Sequence, residues 1–179
     1  MVLFALIASL PLLKWDDAPS ITMEGLSGST DLYLSAGQSA MFQALNLSAD
    51  AAEFPGGSLA AHYLAWETAF RNSIAKLRAA RLNLDSAAYL HADGAYESDA
   101  DRAVREAFAA ENPLEREKML DAARWRKLEE LELGNLFNFN VLCAYKLKLE
   151  LLLKWKARNA ELSQKNLDLA TAEVRKEAV

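Results

Sequence analysis

The stretch Leu136–Trp155, LFNFNVLCAYKLKLELLLKW, decides the fold. At 100° per residue, Lys146, Glu150, Lys154 and Arg158 fall four apart on one stripe. Leu142, Tyr145, Leu149, Leu152 and Leu153 cover another side, and Leu147, Leu151 and Trp155 a third. A helix that is apolar over most of its circumference has to be wrapped by others, because leaving that surface in water costs on the order of 25 cal/mol per Å². The expectation is an all-α fold. It is a single-domain helical bundle over residues 1–179 with a long, largely buried C-terminal helix, whose polar continuation from about residue 160 frays toward Val179.

Working outward, 179 residues of which 52% are apolar can bury a core without disulfides or metals, and 7 Gly with 4 Pro argue against disorder and against a turn-rich β fold. The net charge of -5 supplies no basic field for a phosphate backbone, so nucleic acid is not an expected partner. Cys143, the single cysteine, sits inside the apolar helix, where it reads as a small core residue in a reduced, cytoplasmic setting. The opening MVLFALIASLPLLKW lacks a basic leader, and its apolar run stops at Lys14, short of the roughly 20 residues a bilayer requires. No direct membrane insertion is expected. Val2 to Leu10 reads as a core element, either a short helix or a short N-terminal strand, ended by Pro11.

Between these ends the helix signals are local. Trp15 to Thr30 reads as a polar loop with a weak helical turn at Met23 to Leu26. Ser35 and Gln38 have the spacing of a capping box for a helix from Ala36 to about Leu47, and Phe54-Pro55-Gly56-Gly57 is a break. Ser58 is a good N-cap for the best amphipathic pattern in the chain. Its stripe of Leu59, Tyr63, Trp66, Phe70, Ile74 and Leu77 falls within about 80°. Beside it run Glu67, Arg71 and Arg78, the first two at the favourable spacing of four. Asp93-Gly94 signals a turn, and Asp99 to Ala110 returns to helix with Val104, Ala107 and Phe108 inward. Asn112-Pro113 starts another, to about Leu133, on which Leu114, Leu120, Trp125, Leu128 and Leu131 share a face with Glu117, Asp121 and Arg124. Those charges either pair with one another or meet a partner. Gly134-Asn135 then interrupts before the central helix.

No catalytic constellation emerges. A di-metal carboxylate bundle needs Glu-x-x-His steps, which are absent, and His62 and His91 read as structural or solvated. Phosphate-cradling glycine loops and the nucleophile elbow are also missing. No cofactor and no metal is expected, and Glu129, Glu130 and Glu132 read as a solvated face.

Three stretches carry a family resemblance: ALIASLPLLKWDDAPSIT from Ala5 to Thr22, WETAFRNSIAKLRAARL from Trp66 to Leu82, and RWRKLEELELGNLFNFNVLCAYKLKLELLLKW from Arg124 to Trp155. They resemble the DUF2764 proteins, bacterial chains that tend to be encoded among the subunits of V/A-type rotary ATPases. Arg71-Asn72 with Leu77 to Arg81 also looks like a helix of the ATPase's socket protein, the helical part that joins the central stalk to the rotor ring. Ala80 here stands where that pattern has Lys, Arg81 follows it, and the chain is shorter than the socket protein. The resemblance implies a noncatalytic assembly or coupling subunit. Its partners would be V/A-type ATPase subunits on the central-stalk or rotor-ring side, and it would be cytoplasmic and peripheral to the inner membrane through the complex. The candidate interface residues are Glu67, Arg71, Asn72, Arg78, Arg81, Glu117, Asp121 and Arg124. The competing readings are a helical metal-dependent enzyme using Glu129 to Glu132 with His62 or His91, and a helical adaptor unrelated to the ATPase.

Overall fold

Seven α-helices and no strand make up the described residues of the computed structural model, which are 2–91 and 97–177, with side chains described for 3–91 and 97–159. The helices are α1 (Val2–Ser9), α2 (Met23–Thr30), α3 (Ala36–Ala44), α4 (Leu59–Leu82), α5 (Ser98–Ala109), α6 (Pro113–Glu132) and α7 (Phe139–Glu177). Single 3-10 turns lie at Ala51–Glu53 and Ala87–Tyr89. The turn signal at Asp93-Gly94 lies outside the described residues.

Local chemistry sets most boundaries. Ser35 and Gln38 form the reciprocal capping box at α3, Ser58 Oγ accepts from the Ala61 amide at α4, and Asn112 accepts from Leu114 with Pro113 at the first position of α6. Asn83 ends α4 in the left-handed conformation at φ 54°. Gly134, at φ 84°, turns the chain out of α6, and Asn138 Oδ1 then accepts from the Val141 amide to start α7.

α7 divides the interior in two. Cys143, Ala144, Leu147, Leu151 and Leu152 join the larger cluster, formed with Tyr63, Phe70, Val104, Leu120, Trp125 and Leu128 of α4, α5 and α6. Leu142 and Leu149 point the other way, into a smaller cluster with Leu6 of α1, Leu26 of α2 and Phe42 of α3. The central helix is therefore enclosed as its composition requires, except that Leu152 packs with the larger cluster rather than beside Leu149.

Several expectations need correction. The alternative left open at Val2 to Leu10 resolves as a helix, Val2–Ser9; Leu6 is buried, while Phe4 is half exposed against Phe137. The weak turn at Met23 extends to Thr30: the Thr22 hydroxyl caps its start by accepting from the Gly25 amide, and Leu26 and Thr30 are buried along it. α3 stops at Ala44, before Leu47, where Leu45 turns extended and Lys146 of α7 donates to the Phe42 and Gln43 carbonyls. Leu114, on the same face as the buried Leu120, Trp125 and Leu128, is 45% exposed and lines an open surface pocket with Trp15, Leu152 and Trp155.

Candidate functional site

The polar residues that sequence spacing gathers on α4 and α6 converge on one buried network. Glu67 is 3% exposed and Asp121 is wholly buried. Between them lies Arg124, whose Nε and Nη2 donate to the two Glu67 oxygens, both at 2.9 Å, while Nη1 donates to Asp121 Oδ1 at 2.8 Å. This fork geometry is what a guanidinium offers and an ammonium does not. Arg71 Nε donates to Glu67 Oε1 at 2.8 Å, and its Nη2 reaches the Leu47 carbonyl at 2.6 Å. From α7, Lys154 Nζ and Trp155 Nε1 donate to Asp121 Oδ2 at 2.7 and 3.0 Å. The charges on α6 therefore pair with each other and also with two further helices.

Burial alone would push the Arg124 guanidinium toward losing its proton. The Glu67 charge and hydrogen bonds, with Asp121, outweigh that and hold it above its ordinary value. The Phe70 ring lies 4.8 Å from its carbon, on the apolar side. Tyr63 Oη, buried beside this network, has no hydrogen-bond partner among the described residues; burial, then the Glu67 charge, raises its pKa well above the ordinary value.

The remaining candidates are spread along α4. Asn72 fixes the chain after the α4 turn, donating through Nδ2 to the His91 carbonyl and accepting from the His91 amide. Arg81 donates to the Phe108 carbonyl and lies 4.9 Å from its ring centre, and Arg116 lies 5.0 Å from the same ring while donating to the Ala110 carbonyl. Both cations sit at the C-terminal end of α5, where a helix favours positive charge. Glu117 lies 3.9 Å from Lys154. The Arg78 side chain makes no hydrogen bond or ion pair with the described residues.

Next to the network opens a groove of about 530 Å³ between α4 and α6. Ile74, Ala75, Ala79 and Leu120 line it, Arg71, Arg78, Glu117 and Arg124 border it, and Leu82, Leu84 and Tyr89 stand at its rim more than half exposed. Sequence reasoning names Arg71, Arg78, Glu117 and Arg124 but misses the apolar floor, whose Ile74 belongs to the stripe and whose alanines give no periodic signal of their own. It also misses Lys154 and Trp155 as members of the network, since only the packing of α7 on α6 brings them there.

The carboxylates invoked for an enzyme are held in local pairs. Glu129 accepts from Trp125 Nε1, Glu130 pairs with Lys127, and Glu132 with Lys148 of α7. His62 and His91 are exposed. Among the described residues, no three His, Cys, Asp or Glu side chains gather as metal ligands would, and no helix is long and apolar enough to cross a membrane.

Comparison with known proteins supports the family resemblance over part of the chain. Residues 97–167 match the model of a family described as a protein of unknown function, DUF2764. The match takes in Asp121, Arg124 and Lys154, while Glu67, Arg71 and the stretch from Ala5 to Thr22 lie before it. No curated protein and no solved structure matches the chain.

Proposed function

We propose that this chain is a noncatalytic assembly or coupling subunit of a bacterial V/A-type rotary ATPase, standing beside the central stalk or rotor ring. The association with that enzyme rests on the likeness of the quoted stretches to DUF2764 proteins and to a helix of the socket protein between stalk and ring. The observation that carries the coupling role is the network of Glu67, Arg71, Asp121, Arg124 and Lys154, which joins α4, α6 and α7. A part that passes torque or holds orientation must not shear, and a satisfied buried network resists sliding in a way that leucine packing alone does not. Such a role needs no nucleophile.

The test is to tag this chain in its native host and purify the rotary ATPase under conditions that keep the enzyme whole. Stoichiometric co-elution with the catalytic and stalk subunits, and uncoupled hydrolysis on depletion, are expected. Elution apart from an intact ATPase, with coupling unchanged on depletion, would remove the proposal.

A further inference from the structure

The groove between α4 and α6 has two features that the internal network does not explain. One is geometry: Arg71, Ala75, Arg78 and Leu82 advance along α4 by four, three and four residues, and Glu117, Leu120 and Arg124 along α6 by three and four. These are two parallel seams at helical spacing, with small side chains, Ala75 and Ala79, where a third backbone would approach. The lining is open, and Leu82, Leu84 and Tyr89 are 67%, 51% and 60% exposed. A small ligand would leave most of that rim in water, whereas a helix laid along the trough would cover it.

The other feature is charge. Glu67, Asp121 and Glu117 are matched by Arg124, Arg71 and Lys154. Among the described residues Arg78, which borders the groove, has no carboxylate partner. Of the four charged side chains at the groove, Arg71, Arg78, Glu117 and Arg124, Arg78 is therefore the one whose charge is uncompensated among the described residues.

We propose that the groove is the docking site for an amphipathic helix of a partner protein, its apolar face against the exposed Leu82, Leu84 and Tyr89 over the floor at Ala75, and an acidic residue at its border paired with Arg78. This rests on reading the chain as an assembly part and names the kind of surface it would grip. Docking in this mode takes its energy from the apolar face and its orientation from the border charge.

The experiment uses the full chain and two synthetic peptides of about three heptads, alike except for Glu or Lys at the positions bordering a leucine face. Calorimetric titration is expected to show saturable binding of the Glu peptide and at least about tenfold weaker binding of the Lys peptide. Arg78→Glu is expected to invert that preference, and Ala75→Trp, which fills the floor, to abolish binding of both peptides while leaving far-UV circular dichroism unchanged. No saturable binding, equal affinity for the two peptides, or an Arg78→Glu variant with the original preference would overturn the proposal. So would binding of decanoate with no binding of either peptide, since that describes a small-ligand pocket. Because the peptides are titrated into the isolated chain, failure here leaves co-elution with the ATPase untouched, and failure of co-elution leaves peptide binding untouched.

Discussion

Truncating Arg124 to Ala tests the network most directly. Arg124 is 12% exposed and serves carboxylates that are 3% and 0% exposed. Removing one member of a buried ion pair costs about 3–5 kcal/mol, because the other charge stays in a poorly solvating interior. Here neither carboxylate is fully stranded, since Glu67 keeps Arg71, and Asp121 keeps Lys154 and Trp155. That places the ionic loss near the lower end, about 3 kcal/mol. Loss of the contact with Phe70 adds about 0.5–1 kcal/mol. Lys154→Ala is the control on the same Asp121: Lys154 is 37% exposed and Asp121 retains Arg124, so the expected cost is about 1 kcal/mol or less. Urea titration followed by far-UV circular dichroism measures both, with unchanged slopes licensing the comparison. A domain of ordinary stability, about 5–15 kcal/mol, survives either change. An Arg124→Ala cost below about 1 kcal/mol, or one equal to that of Lys154→Ala, would show that the network is solvated and contributes no more than surface ion pairs do.

Three further outcomes follow from other parts of the fold. Burial raises the Asp99 pKa, but hydrogen bonds from Lys127 and the Ala100 amide outweigh it and hold the carboxyl below its ordinary 3.8. Its stabilisation is therefore complete above 3.8 and lost as pH falls through the folded value, so the urea midpoint should drop on acidification there, less steeply in Asp99→Asn. Burial pushes the Cys143 thiol up to about 12, so a thiol reagent at pH 8 should leave the native chain unmodified and label it once urea unfolds it; rapid native labelling would contradict its enclosure. Leu6→Ala, in the smaller cluster, should cost about 2–5 kcal/mol. Because α7 belongs to both clusters, the fluorescence of Trp66 and Trp125 in the larger one should shift its midpoint together with circular dichroism, and a separated second transition would mean that α1 to α3 unfold on their own.

What is legible in the sequence is what neighbours along the chain decide. Ser35 with Gln38, Ser58, Asn112 with Pro113, and the stripe from Leu59 to Ile74 each act within a few residues, and each stands in the structure as read. The pairing of Glu67 with Arg71 is visible for the same reason. Its second partner is not: Arg124 lies 57 residues away, and no period on α4 or α6 says which faces will meet. The end of α3 is hidden because Lys146, more than a hundred residues on, terminates it. Spacing puts Leu114 on the apolar stripe of α6, but a place on that stripe does not say how tightly Leu152 and Trp155 of α7 will close over it.

The charged positions of α7 resolve a problem that its leucines create. A helix apolar on two sides can rotate or slip against its neighbours with small loss of burial, since one leucine replaces another. Lys146 is fixed by the end of α3, Lys148 by Glu132 at the end of α6, and Lys154 by Asp121 in the first half of α6. Glu150 adds a further point by accepting from the Leu47 amide. A rotation of one residue would pull each of these groups from its partner and leave the buried ones unsatisfied, at about 1–3 kcal/mol apiece. Leucine burial thus supplies the affinity of α7 for the bundle, and the charges fix its register.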